Sequence, residues 1–345
     1  MTAPTIPVIA LTGYLGAGKT SLLNHVLRAP GARIGVVIND FGDLNVDAAL
    51  VTGQVDEPAS ISGGCICCLD DEGGLDAALE KLTDPRLALD AIIVEASGLA
   101  EPLAVARLIR YSGVERVRPG GVVDVIDAAT HFDTVDRGGL PPARYGSASL
   151  VVVNKLDQVP EDGRVAALER IETRVRERNP HVQVVGAIGG RVDPALLYDV
   201  AEPAEDAEQL SFRELLIDAE LDHEHVHHHD HVHAASVTVN SDGCIDPGAL
   251  FDLLEEPPAG VYRIKGIVAV RYRAQVRTYV VNVVGTSVHV AAAPPAARAN
   301  CLVAIGSRFD VDDMRARAEA ALRPQEGTVP TAGIRRLQRY RKLSI

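Results

Sequence analysis

No run of 18 or more apolar residues occurs in the 345-residue chain, so nothing in it reads as a membrane span. Residues Met1 to Pro7 lack the charged start and long apolar core of a secretion signal. Cations are in the minority. The 34 Lys and Arg against 47 Asp and Glu leave a net charge of −13. That balance disfavours nucleic acid as a partner, because duplex binding needs basic patches to replace counterions. Cysteines number five, and three of them fall within four positions. They sit too close together for a conventional disulfide framework. Cys244 and Cys301 are isolated and read as structural. This usage suits a reducing cytoplasm with thiols kept for metal or redox work. No internal repeat is visible.

What is present is ordinary for a globular protein: 47% hydrophobic and 23% charged residues, over a length that favours two domains. Short apolar, β-branched runs are expected as strands at 6–11, 33–39, 91–95, 121–126, 150–154 and 182–185. Helical patterns at 21–27, 75–82, 103–110 and 164–178 separate most of them. Such alternation implies an α/β fold with a doubly wound, mostly parallel sheet buried on both faces. The pattern stops near Asp199. Residues 199–224 hold ten acids, and residues 223–233 hold seven of the eleven histidines. Segment 200–233 therefore reads as a linker, at least partly disordered. Beyond it, strands at 235–240, 261–272, 277–284, 287–291 and 302–305, with helices at 246–255 and 312–322, predict a smaller α+β domain with an antiparallel sheet. The expected divisions are 1–199, 200–233, 234–325 and a basic tail at 326–345.

The string Gly13-Tyr14-Leu15-Gly16-Ala17-Gly18-Lys19-Thr20 follows a strand and opens a helix, the context of a Walker A phosphate loop. Its glycines let backbone N–H groups converge on phosphate oxygens. Lys19 can reach the β- and γ-phosphates, Thr20 can ligate Mg²⁺, and the helix N-terminus adds positive potential. These eight residues and Ser21 are the expected phosphate contacts. Asn154-Lys155-Leu156-Asp157 ends a later strand. A carboxylate at 157 can accept two hydrogen bonds from guanine N1–H and the 2-amino group, a pair that adenine lacks. Asn154 would brace the loop and Lys155 would lie along the base. GTP is therefore expected over ATP.

Glu95 stands at the C-terminal end of a central strand, the edge where doubly wound sheets bind ligands. It is expected to hold Mg²⁺ or its waters and to orient the attacking water. Lys19, Thr20 and Glu95 are the expected catalytic set, and Gly98 lets the backbone approach the γ-phosphate. Asp40 is a weaker candidate in a switch segment. Cys65, Cys67 and Cys68 pack three sulfurs into one short segment, a set suited to Zn²⁺, Cu(I) and other soft or borderline ions. Three thiolates leave a fourth position for Glu57, a histidine or a client protein. The histidine run reads as a low-specificity metal reservoir or as a solvated linker. His25, His131, His181 and His289 are isolated and read as packing or surface residues.

With these motifs assembled, the chain resembles the CobW family of P-loop GTPases, relatives of UreG and HypB. The residues that carry the likeness are Gly13 to Thr20, Val37-Ile-Asn-Asp-Phe-Gly42, Gly64-Cys-Ile-Cys-Cys68, Glu95-Ala-Ser-Gly98 with Pro102, Asn154 to Asp157 and Tyr262-Arg-Ile-Lys-Gly266. Two positions depart from the family pattern: Gly64 stands where Asn is usual, and Asp40 where Glu is usual. The resemblance implies a P-loop domain at 1–199 and a CobW C-terminal domain at 234–325. It also implies a GTP-hydrolysing metallochaperone using GTP, Mg²⁺ and Zn²⁺, or alternatively Co²⁺. In that picture GTP orders the switch segments around Cys65, Cys67 and Cys68, and hydrolysis releases the metal to a client metalloprotein. A metal buffer whose nucleotide site only regulates affinity is the alternative, and a small-metabolite kinase is a third reading.

Overall fold

The computed structural model describes residues 5–28, 32–39, 66–67, 74–198, 234–272, 275–293, 300–325 and 329–344. Asp40, Glu57, Cys65, Cys68 and the histidine run of 223–233 lie outside these residues, and so does segment 200–233.

The N-terminal part is built on β1 (Ile6–Gly13), β2 (Ile34–Asn39), β3 (Ile66–Cys67), β4 (Ala91–Ala96), β5 (Val117–Asp127), β6 (Leu150–Asn154) and β7 (Gln183–Gly186). Their order across the sheet is β3-β2-β4-β1-β5-β6-β7, with every pairing parallel. Between them lie α1 (Lys19–Arg28), α2 (Gly74–Leu82), α3 (Pro102–Arg110), the short α4 (His131–Thr134) and α5 (Arg164–Arg176). The strands are continuous apolar runs because both faces are covered. Ile9, Leu11, Ile93, Val123 and Val152 pack on α1, while Val8, Ala10, Ile92 and Val94 pack on α2 and α3. Each expected strand and helix of this half is present within a few residues. The strand β3 was not expected, since two residues of a Cys-Ile-Cys string carry no periodicity.

The C-terminal part is an antiparallel sheet of order β11-β10-β9-β12-β8, made of β8 (Ala235–Ser241), β9 (Val261–Tyr272), β10 (Gln275–Val284), β11 (Ser287–Ala292) and β12 (Asn300–Gly306). Helices α6 (Pro247–Glu255), α7 (Val311–Ala321) and α8 (Thr331–Leu343) cover one face and share a single apolar cluster with it. Helix α8 is a difference from the expected basic tail. Ile334, Leu337 and Tyr340 recur at helical spacing, and Tyr340 stacks on Phe251 with ring centroids 4.9 Å apart. Five cations along the same helix mask that stripe in the sequence.

The two sheets meet at the start of the parallel strands. Tyr262 and Val284 join the N-terminal core, Gln183 Nε2 donates to Ser307 Oγ at 2.5 Å, and Arg118 Nη2 donates to Asn282 Oδ1 at 3.4 Å. The opposite edge, where β1, β4, β5 and β6 end, is left to the glycine loop. No helix among the described residues is long and apolar enough to cross a membrane.

Candidate nucleotide and metal site

Gly13 to Thr20 form the turn from β1 into α1. Gly16 and Gly18 take positive φ, at 74° and 101°. Gly18 also has no room for a side chain, because a Cβ there would lie 2.2 Å from Asn154 Nδ2. Tyr14 and Leu15 are exposed at the loop tip, Ala17 is buried beneath it, and Ser21 is exposed on the first turn of α1. Lys19 Nζ arches back over the loop and donates to Gly13 O at 3.2 Å. The first turn of α1 has no acidic residue, so its N–H groups and dipole favour an anion.

Thr20 and Glu95 are 75 positions apart in the chain, yet Thr20 Oγ1 donates to Glu95 Oε1 at 2.9 Å. Glu95 is only 3% exposed at the end of β4. A hydroxyl beside a carboxylate at the end of a phosphate loop is a hard oxygen donor set, the kind Mg²⁺ prefers, so the residues present fit that ion. Gly98 packs directly on the glycine loop, since a Cβ there would meet Leu15 Cα at 2.9 Å. The backbone following β4 and the phosphate loop are thus one packed unit.

Asn154 is 1% exposed and clamps two loops together. Its Nδ2 donates to Ala17 O at 3.0 Å, and its Oδ1 accepts from Gly190 N at 2.8 Å. Lys155 takes a left-handed conformation, φ 61°, and its Nζ pairs with Asp127 Oδ2 at 2.8 Å. Burial alone would raise the Asp127 pKa. The hydrogen bonds from Lys155 and the Ala129 amide overcome it and leave the carboxyl below its ordinary value. Asp157 is exposed in the 3₁₀ turn Leu156–Gln158, at the rim beside Lys155.

Residues that sequence reasoning passed over complete this edge. Asp127 ends β5 as Glu95 ends β4, so the same strand-end rule that singled out Glu95 applies to it. Gly190, with φ 74°, packs against the start of α1, where a Cβ would meet Leu22 N at 2.5 Å. Asp124, fully buried, accepts from Thr12 Oγ1 at 2.8 Å and from both Arg144 Nε and Nη2, at 3.0 and 2.8 Å. Of the isolated histidines, His25 contacts Val192 O at 2.9 Å and His181 is exposed. His131 is buried against Tyr145, and burial lowers its pKa to about 4. His289 is likewise lowered to about 4 by burial. All four fit the packing or surface roles expected of them.

Cys67 is the one residue of the thiol cluster whose backbone is described. It lies on β3 and pairs with Ile38, which pairs with Glu95, which pairs with Leu11. Cys244 and Cys301 are free thiols, buried and half-buried. No group of three or more His, Cys, Asp or Glu poised for a metal occurs among the described residues.

Family models match both halves of the chain. Residues 7–185 match the family model "CobW/HypB/UreG, nucleotide-binding domain", and residues 234–322 match "Cobalamin synthesis protein cobW C-terminal domain". The zinc chaperone CobW of Sinorhizobium sp is 29% identical over 295 residues, 76% of this chain and 80% of that one. The zinc chaperone YjiA of Escherichia coli K12 is 28% identical over 200 residues, 56% of this chain and 61% of that one. A crystal structure of Zn(II)-bound YjiA GTPase from E. coli aligns over 92% of this chain and 99% of that one, at 22% identity and a TM-score of 0.43. With its nucleotide-binding half and its C-terminal half each matched in order, the chain belongs to the CobW/HypB/UreG family of P-loop GTPases.

Proposed function

We propose that the chain is a GTP-hydrolysing metallochaperone, which takes Zn²⁺, or alternatively Co²⁺, as cargo at Cys65, Cys67 and Cys68 and passes it to a client metalloprotein. The observation that carries the reading is the cross-strand row Cys67, Ile38, Glu95, Leu11. Neighbouring strands are about 4.8 Å apart, so roughly 10 Å separates the backbone of Cys67 from that of Glu95. A shift of the loop at Glu95 therefore has a short path, through β2, to the strand that holds a thiol.

In this reading the backbone N–H groups of residues 13–19 and the Lys19 ammonium hold the phosphates, and Asp157 selects guanine. Thr20 and Glu95 are the protein ligands that would hold Mg²⁺, directly or through its waters. Mg²⁺, when bound, neutralises the charge that develops on the transferring phosphoryl group. Glu95 also orients the attacking water. Lys19 exchanges its contact with Gly13 O for phosphate oxygens, so the loop presents a ready cation at little reorganisation cost. Hydrolysis removes the phosphate that residues 95–98 and the loop share, which relaxes β4 against β2 and so the thiol strand.

The test is an anaerobic Zn²⁺ titration with and without a non-hydrolysable GTP analogue, repeated on Cys67→Ser. Tight binding is expected to need both nucleotide and thiol. An affinity indifferent to both sinks the coupling. GTP binding without phosphate release would favour the buffer reading instead.

A further inference from the structure

Beneath the phosphate loop lies a buried ion pair that the proposed chemistry does not use. Asp124 sits mid-strand on β5, fully buried, in the row directly opposite Thr12, the residue that precedes Gly13. It accepts two hydrogen bonds from Arg144 and one from Thr12 Oγ1. Arg144 comes from the 3₁₀ turn Ala143–Ser147, twenty positions further along. Taking two charges out of water costs several kcal/mol per ion, so a buried pair is poor evidence for stability by itself. A hydrophobic pair of the same volume would serve the core as well. The pair's cost calls for another role.

Its surroundings suggest one. Arg144 lines a small cavity together with Tyr14, Leu15 and Ala17, about 10 Å³ in size. That is room for about one water, so Arg144 lies close beside the loop residues. On its other side the turn is anchored. Tyr145 is fully buried, its hydroxyl meets His131 and donates to Asp136 Oδ2 at 3.1 Å, and Arg174 of α5 holds Asp136 at 2.7 and 3.1 Å. Asn179 Nδ2 donates to Tyr145 O and Ala148 O at 2.9 and 2.8 Å. A continuous set of packed, hydrogen-bonded groups therefore runs from α5 to the residue before the glycine loop.

We infer that Arg144 and Asp124 are positioning residues for the phosphate loop: anchored on the 143–147 turn, they fix Thr12 and thereby the trajectory of Gly13 to Lys19. The inference rests on the proposed nucleotide role of that loop. It also predicts a signature that mere stability would not give. Breaking the pair should disturb the loop more than the fold, and a neutral pair of mutually hydrogen-bonding amides should rescue it.

The experiment compares Arg144→Met with the double variant Asp124→Asn/Arg144→Gln in the full chain. GTP turnover and the Kd of a fluorescent GDP analogue are read well below each variant's melting temperature. Arg144→Met leaves Asp124 buried without its guanidinium, and is expected to raise KM and the GDP Kd about tenfold with kcat changed no more than about threefold. The double variant is expected to return KM to within about threefold of the unaltered chain, the non-additivity of residues in one network. Hydrogen exchange of the amides of residues 14–19 in nucleotide-free protein gives a readout that needs no nucleotide, and protection there should fall in Arg144→Met and recover in the double variant. Loss of thermal stability with KM and loop protection unchanged would overturn the inference, as would failure of the double variant to rescue either one. If Arg144→Met does not fold, the double variant alone decides, by whether its loop protection matches the unaltered chain. A chain that binds no GTP at all defeats the proposed function, while the exchange data still judge the pair.

Discussion

The two sheets of this protein bury polar groups for different ends. In the parallel sheet, Thr12, Glu95, Asp124 and Asn154 are all buried and gather toward one edge, on four adjacent strands. In the antiparallel sheet, Asn300 is buried mid-structure, where its Oδ1 accepts from Ala269 N at 2.6 Å and its Nδ2 donates to Ser241 Oγ and Gly243 O, both at 3.0 Å. That asparagine repairs backbone hydrogen bonding. In the first set, Asn154 and Glu95 bond residues of the glycine loop, and Thr12 and Asp124 pair just before it. These four groups of the parallel half thus cluster beside the glycine loop, whereas Asn300 ties its own strands together.

The sharpest way to test this contrast is to damage each half and read the other's property. Glu95→Gln is expected to cut GTP hydrolysis by about 10²-fold or more, as for a group that orients the reacting water and would hold Mg²⁺, with a much smaller effect on the melting temperature because an amide oxygen can still accept from Thr20 Oγ1. Phosphate release and calorimetry check this, and a fall in stability comparable to that of a core deletion would erase the distinction. Phe251→Ala does the opposite. Phe251 of α6 is fully buried and stacks on Tyr340 of α8, so its loss should cost about 3–5 kcal/mol of stability, read by denaturant unfolding. Turnover per folded molecule should be unaffected.

Acid should weaken both halves alike. His131 in the parallel half and His289 in the antiparallel half both have pKa values lowered by burial to about 4. Unfolding restores the ordinary value of 6.5, so the unfolded chain binds more protons between those limits. Each histidine's contribution is full above pH 6.5 and is lost as pH falls toward 4, on the order of 2–3 kcal/mol apiece. Denaturant unfolding at stepped pH, with His131→Gln and His289→Gln separately, would show which half yields. A variant whose stability still falls as steeply as the unaltered chain's contradicts the assignment for that residue.

The smallest effect belongs to the edge of α8. Arg336 Nη1 and Nη2 pair with Asp252 and Glu255 at 2.5 and 2.8 Å, but all three are partly or largely exposed. Arg336→Ala should cost less than about 1 kcal/mol. Burial would raise the Glu255 pKa, and the hydrogen bonds from Arg336 and Tyr340 overcome that to lower it below 4.5. The pair's contribution is therefore present above pH 4.5 and disappears as pH drops through the lowered value. The difference in melting temperature between Arg336→Ala and the unaltered chain should vanish in acid.

How much of this was legible depended on distance along the chain. The glycine loop, the Asn154 to Asp157 loop and the Cys65 to Cys68 cluster each lie within one short segment, so the motifs themselves could be read from spacing. Glu95 was legible because the end of an apolar strand is itself a local signal. The same signal marks Asp127, yet without the sheet order nothing tied it to Lys155. Helix α8 was obscured because five cations diluted a three-residue apolar stripe. The pairing of β3 could not be read at all, since two residues specify no register by themselves.

Local sequence by itself determined most of the strands, where a glycine-rich phosphate-loop motif turns into a helix, and that a three-cysteine cluster and an Asn-Lys-Leu-Asp motif share one chain. Those properties depend on backbone freedom and side-chain type over a few neighbouring residues. Only the tertiary structure decided that β1 runs between β4 and β5, that Thr20 meets Glu95, and that Asp124 and Arg144 stand under Thr12. Those depend on how apolar faces are buried together, and burial is settled by the whole sheet at once.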